Sequence, residues 1–229
     1  MRAASLGALL VAGSLMALGC TAQGGRAAQA AQDENLRAAF HGEYKAYREA
    51  PLPERFSSMT YSPEQLVHLQ NMAEMGPGVL PYLVDEARKT GDANLTLPLG
   101  IISRLSFRRA GWSGAEDIGS REELQLFIQW WDAGQARTNQ MFGEAYADGD
   151  MKRIAALGVA ALPLMMDKLK EGDTRMLQCV RQVAVGQPDI PESTTSDADS
   201  SLEWWQTNKQ KWIVPFPDQG KVEPPPVKK

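Results

Sequence analysis

Apolar residues recur at intervals of three and four positions along most of the chain, which is the spacing of one face of an α-helix. The first such run follows Asp33, which can cap a helix that extends to about Ala50. Its apolar face carries Leu36, Phe40, Tyr44 and Tyr47. Runs of β-branched residues are scarce and aromatic residues make up only 7%, so the strand signal is poor. The pattern predicts an all-α protein that begins with this N-terminal helix.

A short stretch, residues 75–83 (MGPGVLPYL), predicts a joint between two helices, and a similar stretch returns at residues 157–165 (LGVAALPLM). A glycine suits the left-handed position just past a helix end, because it has no Cβ to clash. A proline suits the first turn of the next helix, where its missing N–H costs little. The glycines are Gly76 and Gly158, and the prolines are Pro81 and Pro163. Each copy therefore predicts one helix that ends and another that begins within three residues.

The likeness between the two copies extends beyond the joint. Each copy continues with a Gly-Asp pair, an apolar helix, a polar linker and a helix with two adjacent tryptophans. The Gly-Asp pairs are Gly91-Asp92 and Gly172-Asp173, and the tryptophan pairs are Trp130-Trp131 and Trp204-Trp205. The joints lie 82 residues apart, the Gly-Asp pairs 81 and the tryptophan pairs 74. Landmarks in the same order at similar offsets predict an internal duplication, with units at about 62–147 and 150–214.

The joint sequences resemble HEAT-type helical repeats, in which a glycine and two or three residues precede Ala/Val-Leu-Pro-x-Leu. Residues 76–83 match this pattern, residues 158–165 match it less closely, and the resemblance covers roughly residues 65–107 and 152–185. The chain departs from the family in its period, which is nearly twice the usual one, and in the inserted tryptophan-bearing helices. The resemblance implies a short helical-repeat (HEAT-like) array over residues 33–214. It implies no catalytic residues, because the family has no catalytic signature.

Other signals place the remaining boundaries. Ser62 and Gln65 form a capping box around Pro63 and predict the start of the helix before the first joint. Ser120 and Glu123 predict the start of one long helix that runs to about Tyr146, after an irregular stretch at 107–119. Residues 186–200 are predicted to form a loop. Residues 215–229 contain five prolines and are predicted to form an extended tail.

The N-terminus has the features of a targeting segment. Arg2 supplies the positive charge, and an apolar stretch too short to span a bilayer ends in residues 16–20 (MALGC). This ending resembles a bacterial lipobox, in which a cysteine follows small or apolar residues and a glycine; the alternative is an ordinary secretory signal with a coincidental cysteine. The resemblance implies removal of residues 1–19 and lipid attachment at Cys20. Thr21, where an aspartate is absent, implies an outer-membrane anchor facing the periplasm.

A lipidated Cys20 has two consequences for the rest of the chain. Residues 20–32, rich in Ala, Gln and Gly, are predicted to form a flexible tether between the membrane and the domain. The only other cysteine, Cys179, would have no disulfide partner, and it lies on an apolar helical stretch. Cys179 is therefore predicted to be a small buried apolar residue rather than a reactive thiol.

Composition and motifs exclude several functions. With 24 Lys and Arg against 28 Asp and Glu, the chain lacks the basic surface that nucleic-acid binding requires. His41 and His68 stand outside any metal-ligand spacing, and both are predicted to be structural. Residues 111–115 (GWSGA) fail the nucleophile-elbow pattern at the fifth position. We therefore predict no catalytic residue, no metal and no cofactor.

Two groups of residues are candidates for interaction. Arg104, Arg108 and Arg109 form the only basic cluster, which suits a solvated helix end or, alternatively, an anionic ligand. Adjacent helix residues point about 100° apart, so only one tryptophan of each pair is expected to pack inward while the other lies at the rim. Packing between units is the alternative role for both members of each pair, which are Trp130 with Trp131 and Trp204 with Trp205.

These observations favour a membrane-anchored, non-enzymatic module that binds or scaffolds a protein partner in the bacterial cell envelope. Stacked helical repeats expose broad faces that suit such partners. The alternatives are an envelope enzyme or anionic-ligand binder with its site between Arg104 and Trp112, and a purely structural envelope protein. A groove would favour binding, whereas a deep pocket that gathers acids or histidines would favour an enzyme.

Overall fold

The computed structural model describes residues 17–53, 61–112, 115, 120–185 and 196–217. These residues form ten α-helices and no strand, which confirms the all-α prediction. The helices are α1 (Ala17–Glu49), α2 (Pro63–Glu74), α3 (Leu80–Thr90), α4 (Thr96–Ser103), α5 (Phe107–Ala110), α6 (Ser120–Ala147), α7 (Met151–Ala156), α8 (Leu162–Lys170), α9 (Met176–Ala184) and α10 (Ala198–Trp212). Most of the predicted signal segment (residues 1–16), most of the predicted 186–200 loop and residues 218–229 of the predicted tail lie outside the described residues.

Helix α1 is longer than its sequence pattern predicts. It begins at Ala17 and therefore includes residues 20–32, for which we expected a flexible tether. Alanine and glutamine have high intrinsic helix propensity, and the helix already formed after Asp33 supplies the costly nucleus for extension. Residues 30–35 are exposed, and packing against the body begins at Leu36.

Both predicted joints are present. Gly76 has a φ of 76° and precedes a 3₁₀ turn, Pro77–Val79, after which α3 begins at Leu80. Gly158 has a φ of 66° and opens the second 3₁₀ turn, Gly158–Ala161, which leads into α8. In each case a proline occupies the first turn of the following helix, as the sequence predicts.

The second joint packs directly against the end of α4. A Cβ built on Gly158 would lie only 2.1 Å from the carbonyl oxygen of Ser103, so the two backbones touch at this glycine. Nearby, the amide of Ser106 donates a hydrogen bond of 2.9 Å to the carbonyl of Ala156. These contacts hold the two predicted units together, and a single apolar core runs through both.

The long helix predicted from Ser120 to about Tyr146 is not continuous. Gly134 has a φ of 63° and a ψ of −164°, so α6 consists of two helical segments joined at this residue. Only glycine adopts this combination of angles readily. A second difference is α5, which lies in the stretch predicted to be irregular, where Phe107 packs edge-on against Phe127 at 4.8 Å between ring centroids.

The aspartates of both Gly-Asp pairs accept a hydrogen bond from a tyrosine at the end of a long helix. Tyr47 of α1 donates to Asp92, and Tyr146 of α6 donates to Asp173, each at 3.0 Å. Burial raises the pKa of Tyr47 to about 12, so its hydroxyl keeps its proton at neutral pH. Asp173 also accepts two bonds from the guanidinium of Arg175, at 2.8 and 2.7 Å.

We expect Asp173→Asn to lower the free energy of unfolding by about 1–3 kcal/mol at neutral pH, because charged hydrogen bonds are lost. The bonds from Arg175, with that from Tyr146, hold the pKa of Asp173 well below its usual range. The carboxylate therefore contributes its full stability above the unfolded-chain pKa of about 3.9, and this contribution disappears as the pH falls through the lower folded-state value. Urea denaturation of both proteins at a series of pH values should show their difference shrinking below about pH 4.

The matched control for this prediction is Asp167→Asn, which removes the same charge from an exposed position of α8. We expect this control to change the free energy of unfolding by less than about 0.5 kcal/mol. A constant difference between Asp173→Asn and the parent chain across the acid range would contradict the assigned role of the carboxylate.

Candidate functional site

The two tryptophan pairs are buried, so the prediction that one ring of each pair lies at the rim is wrong. The exposed fractions are 1% for Trp130, 4% for Trp131, 8% for Trp204 and 9% for Trp205. Adjacent rings do point in different directions, but both directions are covered. These rings therefore serve packing, and a docking surface has to be sought elsewhere.

The residue that covers the first tryptophan pair comes from the predicted extended tail. The ring centroid of Phe216 lies 5.0 Å from that of Trp130 and 5.4 Å from that of Trp131. In the second pair, Trp204 packs against Trp212 of the same helix, with 5.9 Å between ring centroids. The contact of Phe216 crosses 85 residues of sequence, which is why helix geometry alone could not predict it.

The predicted basic cluster divides into two parts. Arg104 ends α4 in the left-handed conformation, with a φ of 53°, and its Nε is buried without a hydrogen-bond partner in the described part of the chain. Arg108 and Arg109 are exposed on α5. Trp112 follows, half-buried, with its ring against Phe107 at 5.8 Å between centroids.

Acidic side chains lie beside α5 and reduce its attraction for an anion. Arg153 donates from Nε to the carbonyl of Ala110 at 3.0 Å and pairs with Glu144 at 3.0 Å and Asp148 at 3.9 Å. The α5 region is therefore mixed in charge, and an anion bound beside Ala110 would meet carboxylates as well as guanidinium groups. The geometry gives no particular support to the alternative of an anionic-ligand site between Arg104 and Trp112.

A cleft of about 660 Å³ lies between α1, the first joint and the last turn of α10. Helix α1 contributes Gln32, Asp33 and Leu36, and the joint contributes Gly76, Pro77 and Gly78. The opposite wall comes from Gln210 to Ile213 and Pro215, and Tyr82 of α3 completes the lining. None of these residues was a candidate from sequence, because three segments far apart in the chain form the cleft.

The lining of this cleft is apolar at its walls and charged at its rim. Tyr82 packs against Phe40, with 5.8 Å between ring centroids, and Leu36 packs directly on Gly78. Trp212 is only 3% exposed, and its indole Nε1 has no hydrogen-bond partner within the described residues. A buried donor without an acceptor costs about 1–3 kcal/mol, so an acceptor that enters here would recover free energy. The charged lining residues are Asp33, Glu74 and Lys211.

Neither histidine belongs to a group that could hold a metal. His68 lies 2.8 Å from Glu43 across the α1–α2 interface, and the hydrogen bond from His68 lowers the pKa of Glu43. His41 is exposed and its ring lies near Phe40 and Tyr82. In the described ranges, no three His, Cys, Asp or Glu side chains are placed to bind a metal ion.

Cys179 is buried, as the sequence predicts, and its Sγ lies 3.4 Å from the carbonyl oxygen of Met151. Burial raises the pKa of the Cys179 thiol to about 11. We therefore expect the native protein to react with a thiol-specific reagent at Cys179 at least 100-fold more slowly than the unfolded chain at pH 8, because the thiolate is the reacting form. Stopped-flow labelling of a Cys20→Ser chain with and without urea measures this ratio, and equal rates would contradict the burial of the thiol.

Cys20, the predicted site of lipid attachment, lies in the first turn of α1. Among the described helices, none combines the length and apolar character needed to cross a membrane. The predicted anchor therefore enters the functional argument through its position on α1, which also forms one wall of the cleft.

No protein-family model, no curated protein and no solved structure matches this chain. A function is therefore inferred from the residues of the chain itself. Within the described residues, the cleft beside α1 combines a partnerless buried donor, aromatic and proline walls and a charged rim, and it is the strongest candidate for a functional site.

Proposed function

We propose that this chain is a lipid-anchored, non-enzymatic module that binds or scaffolds a protein partner in the bacterial cell envelope. In this proposal Cys20 carries the lipid, the outer membrane holds it, and the domain faces the periplasm. The HEAT-like character of the two joints supports the assignment to helical-repeat binding modules, although no functional residue follows from that likeness.

The observation that carries the proposal is the cleft at the point where α1 joins the body. Cys20 and Gln32 belong to the same helix, so the backbone between them spans about 18 Å at about 1.5 Å per residue. A continuous helix holds the cleft at a set distance from the anchored residue, whereas a flexible tether would not. The site is thereby presented to partners near the membrane surface.

The lining suits a polypeptide. Pro77, Pro81, Tyr82 and Trp212 form apolar walls, and grooves with aromatic walls accept extended, proline-containing segments. The unpaired indole N–H of Trp212 offers a donor for a backbone carbonyl. Acidic and basic side chains at the rim can select among partners by their charge.

Site-specific photocrosslinking in native envelopes tests this proposal. A photoreactive residue at Gln210, which lines the cleft, should capture one defined protein. The same residue at Gln206, which is exposed one turn earlier on α10 and lies outside the lining, should not capture it. Identical capture from both positions, or no capture from Gln210, would contradict a protein-binding cleft.

The anchor has its own test. We expect the parent chain to fractionate with membranes and to incorporate labelled fatty acid, and the Cys20→Ser chain to lose both properties. A single acyl chain binds membranes only marginally, so stable fractionation also reports on more than one attached chain. Membrane association that persists in Cys20→Ser would contradict the lipid anchor and leave the cleft proposal in place.

A further inference from the structure

We propose that the proline-rich segment of this chain, residues 218–229, occupies the cleft and competes there with the protein partner. This inference rests on the proposed function and adds a regulator to it. The segment has the sequence DQGKVEPPPVKK. Three observations carry the proposal: where the described chain leads, which groups the cleft leaves unpaired, and how the charges match.

The described chain leads to the cleft and stops beside it. Pro215 is part of the lining, and two residues later the described chain reaches Pro217. Phe216 is held between Trp130 and Trp131, so the starting point of the segment is fixed relative to the body. Twelve residues in polyproline conformation span about 37 Å at about 3.1 Å per residue, which is ample to return along the cleft.

The chemistry of the segment matches the walls. Pro224, Pro225 and Pro226 favour the polyproline helix, whose carbonyl groups have no internal hydrogen bonds. Those carbonyls are acceptors for a donor such as the indole N–H of Trp212, which has none in the described part of the chain. The proline rings find apolar surface on Tyr82 and Pro81.

The charges also match. The segment carries three lysines, Lys221, Lys228 and Lys229, and the rim of the cleft presents Asp33 and Glu74. Because the segment is covalently attached, its effective concentration at the cleft is on the order of 1 mM. Even a weak segment with a Kd of about 0.1 mM would then fill most clefts and weaken a competing peptide by about tenfold.

The experiment compares the mature chain with a version that ends at Pro217. In ¹⁵N-labelled protein, the indole N–H resonance of Trp212, assigned with Trp212→Phe, should shift when the segment is removed. A synthetic peptide of residues 218–229 should bind the truncated protein saturably, restore the resonance and bind the mature chain about tenfold more weakly. Trp112 lies outside the cleft lining and provides the internal control, because its indole resonance should stay in place.

A matched pair of charge reversals tests the rim. Glu74→Lys changes a lining residue, and Glu34→Lys makes the same change at an exposed position of α1 outside the lining. We expect the first to weaken peptide binding to the truncated protein several-fold more than the second, with the difference lost at high salt.

Several results would overturn the inference. These are an unchanged Trp212 resonance on truncation, no binding of the peptide to the truncated protein, or a resonance shift that depends on protein concentration, which would assign the cleft to the segment of a second copy. The proposed function fails separately, if a photoreactive residue at Gln210 captures no partner even in the chain that ends at Pro217.

Discussion

Gly158→Ala is expected to lower the free energy of unfolding by about 3–6 kcal/mol, as the sum of backbone strain and overpacking. The φ of 66° places this residue in the left-handed region, and the added Cβ would lie 2.1 Å from the carbonyl oxygen of Ser103. That oxygen and the other close atoms, in Arg104 and Leu105, belong to backbone and cannot rotate away. The end of α4 would have to separate from the second joint. Urea denaturation followed by circular dichroism measures the loss.

The control is the equivalent glycine of the first joint. Gly76 also has a positive φ, of 76°, but a Cβ built on it meets nothing within 4 Å. We expect Gly76→Ala to cost about 1–3 kcal/mol, because backbone strain is its only penalty. If the two substitutions destabilise the protein equally, then the close approach at Gly158 is not the source of its effect.

The second large effect is expected for Trp130→Ala, which should lower the free energy of unfolding by about 3–5 kcal/mol. Trp130 is among the largest fully buried side chains, and it packs against Trp131 and Phe216. Its removal leaves a cavity between α6 and the segment that follows α10. Loss of partner capture in this variant would therefore report unfolding and would not locate a docking face.

Trp112→Ala provides the comparison for Trp130→Ala within one residue type. Trp112 is half-buried, so we expect a cost of about 1–2 kcal/mol from the smaller area returned to water. The same denaturation experiment ranks the two variants. Equal stabilities for Trp130→Ala and the parent chain would contradict the packing described around Phe216.

The features that sequence predicts best are those whose cause is local. Ser62 and Gln65 form the predicted capping box, with both hydrogen bonds at 3.1 Å, because all of its atoms lie within four residues. Gly91 ends α3 in the left-handed conformation for the same kind of reason. Cys179 is buried as its apolar surroundings predict. Each of these is decided by backbone geometry or by the apolar face of one helix.

The features that sequence misses depend on residues far apart in the chain. The break at Gly134 interrupts an apolar pattern that continues on both sides, so periodicity passes over it. The burial of Trp131 depends on Phe216, in a segment whose prolines predict only an extended chain. The cleft is the extreme case, since α1, the first joint and the end of α10 each appear ordinary alone. The all-α class was therefore predictable, whereas the candidate site was not.

The position of Phe216 has a consequence for the order in which the protein is made. Its ring closes over Trp130 and Trp131, yet it is synthesised after all ten described helices. A nascent chain that has reached only α9 would present this apolar surface to water and to chaperones. Completion of the core is thus deferred to the final stage of synthesis, which would keep the chain open during any transport across a membrane.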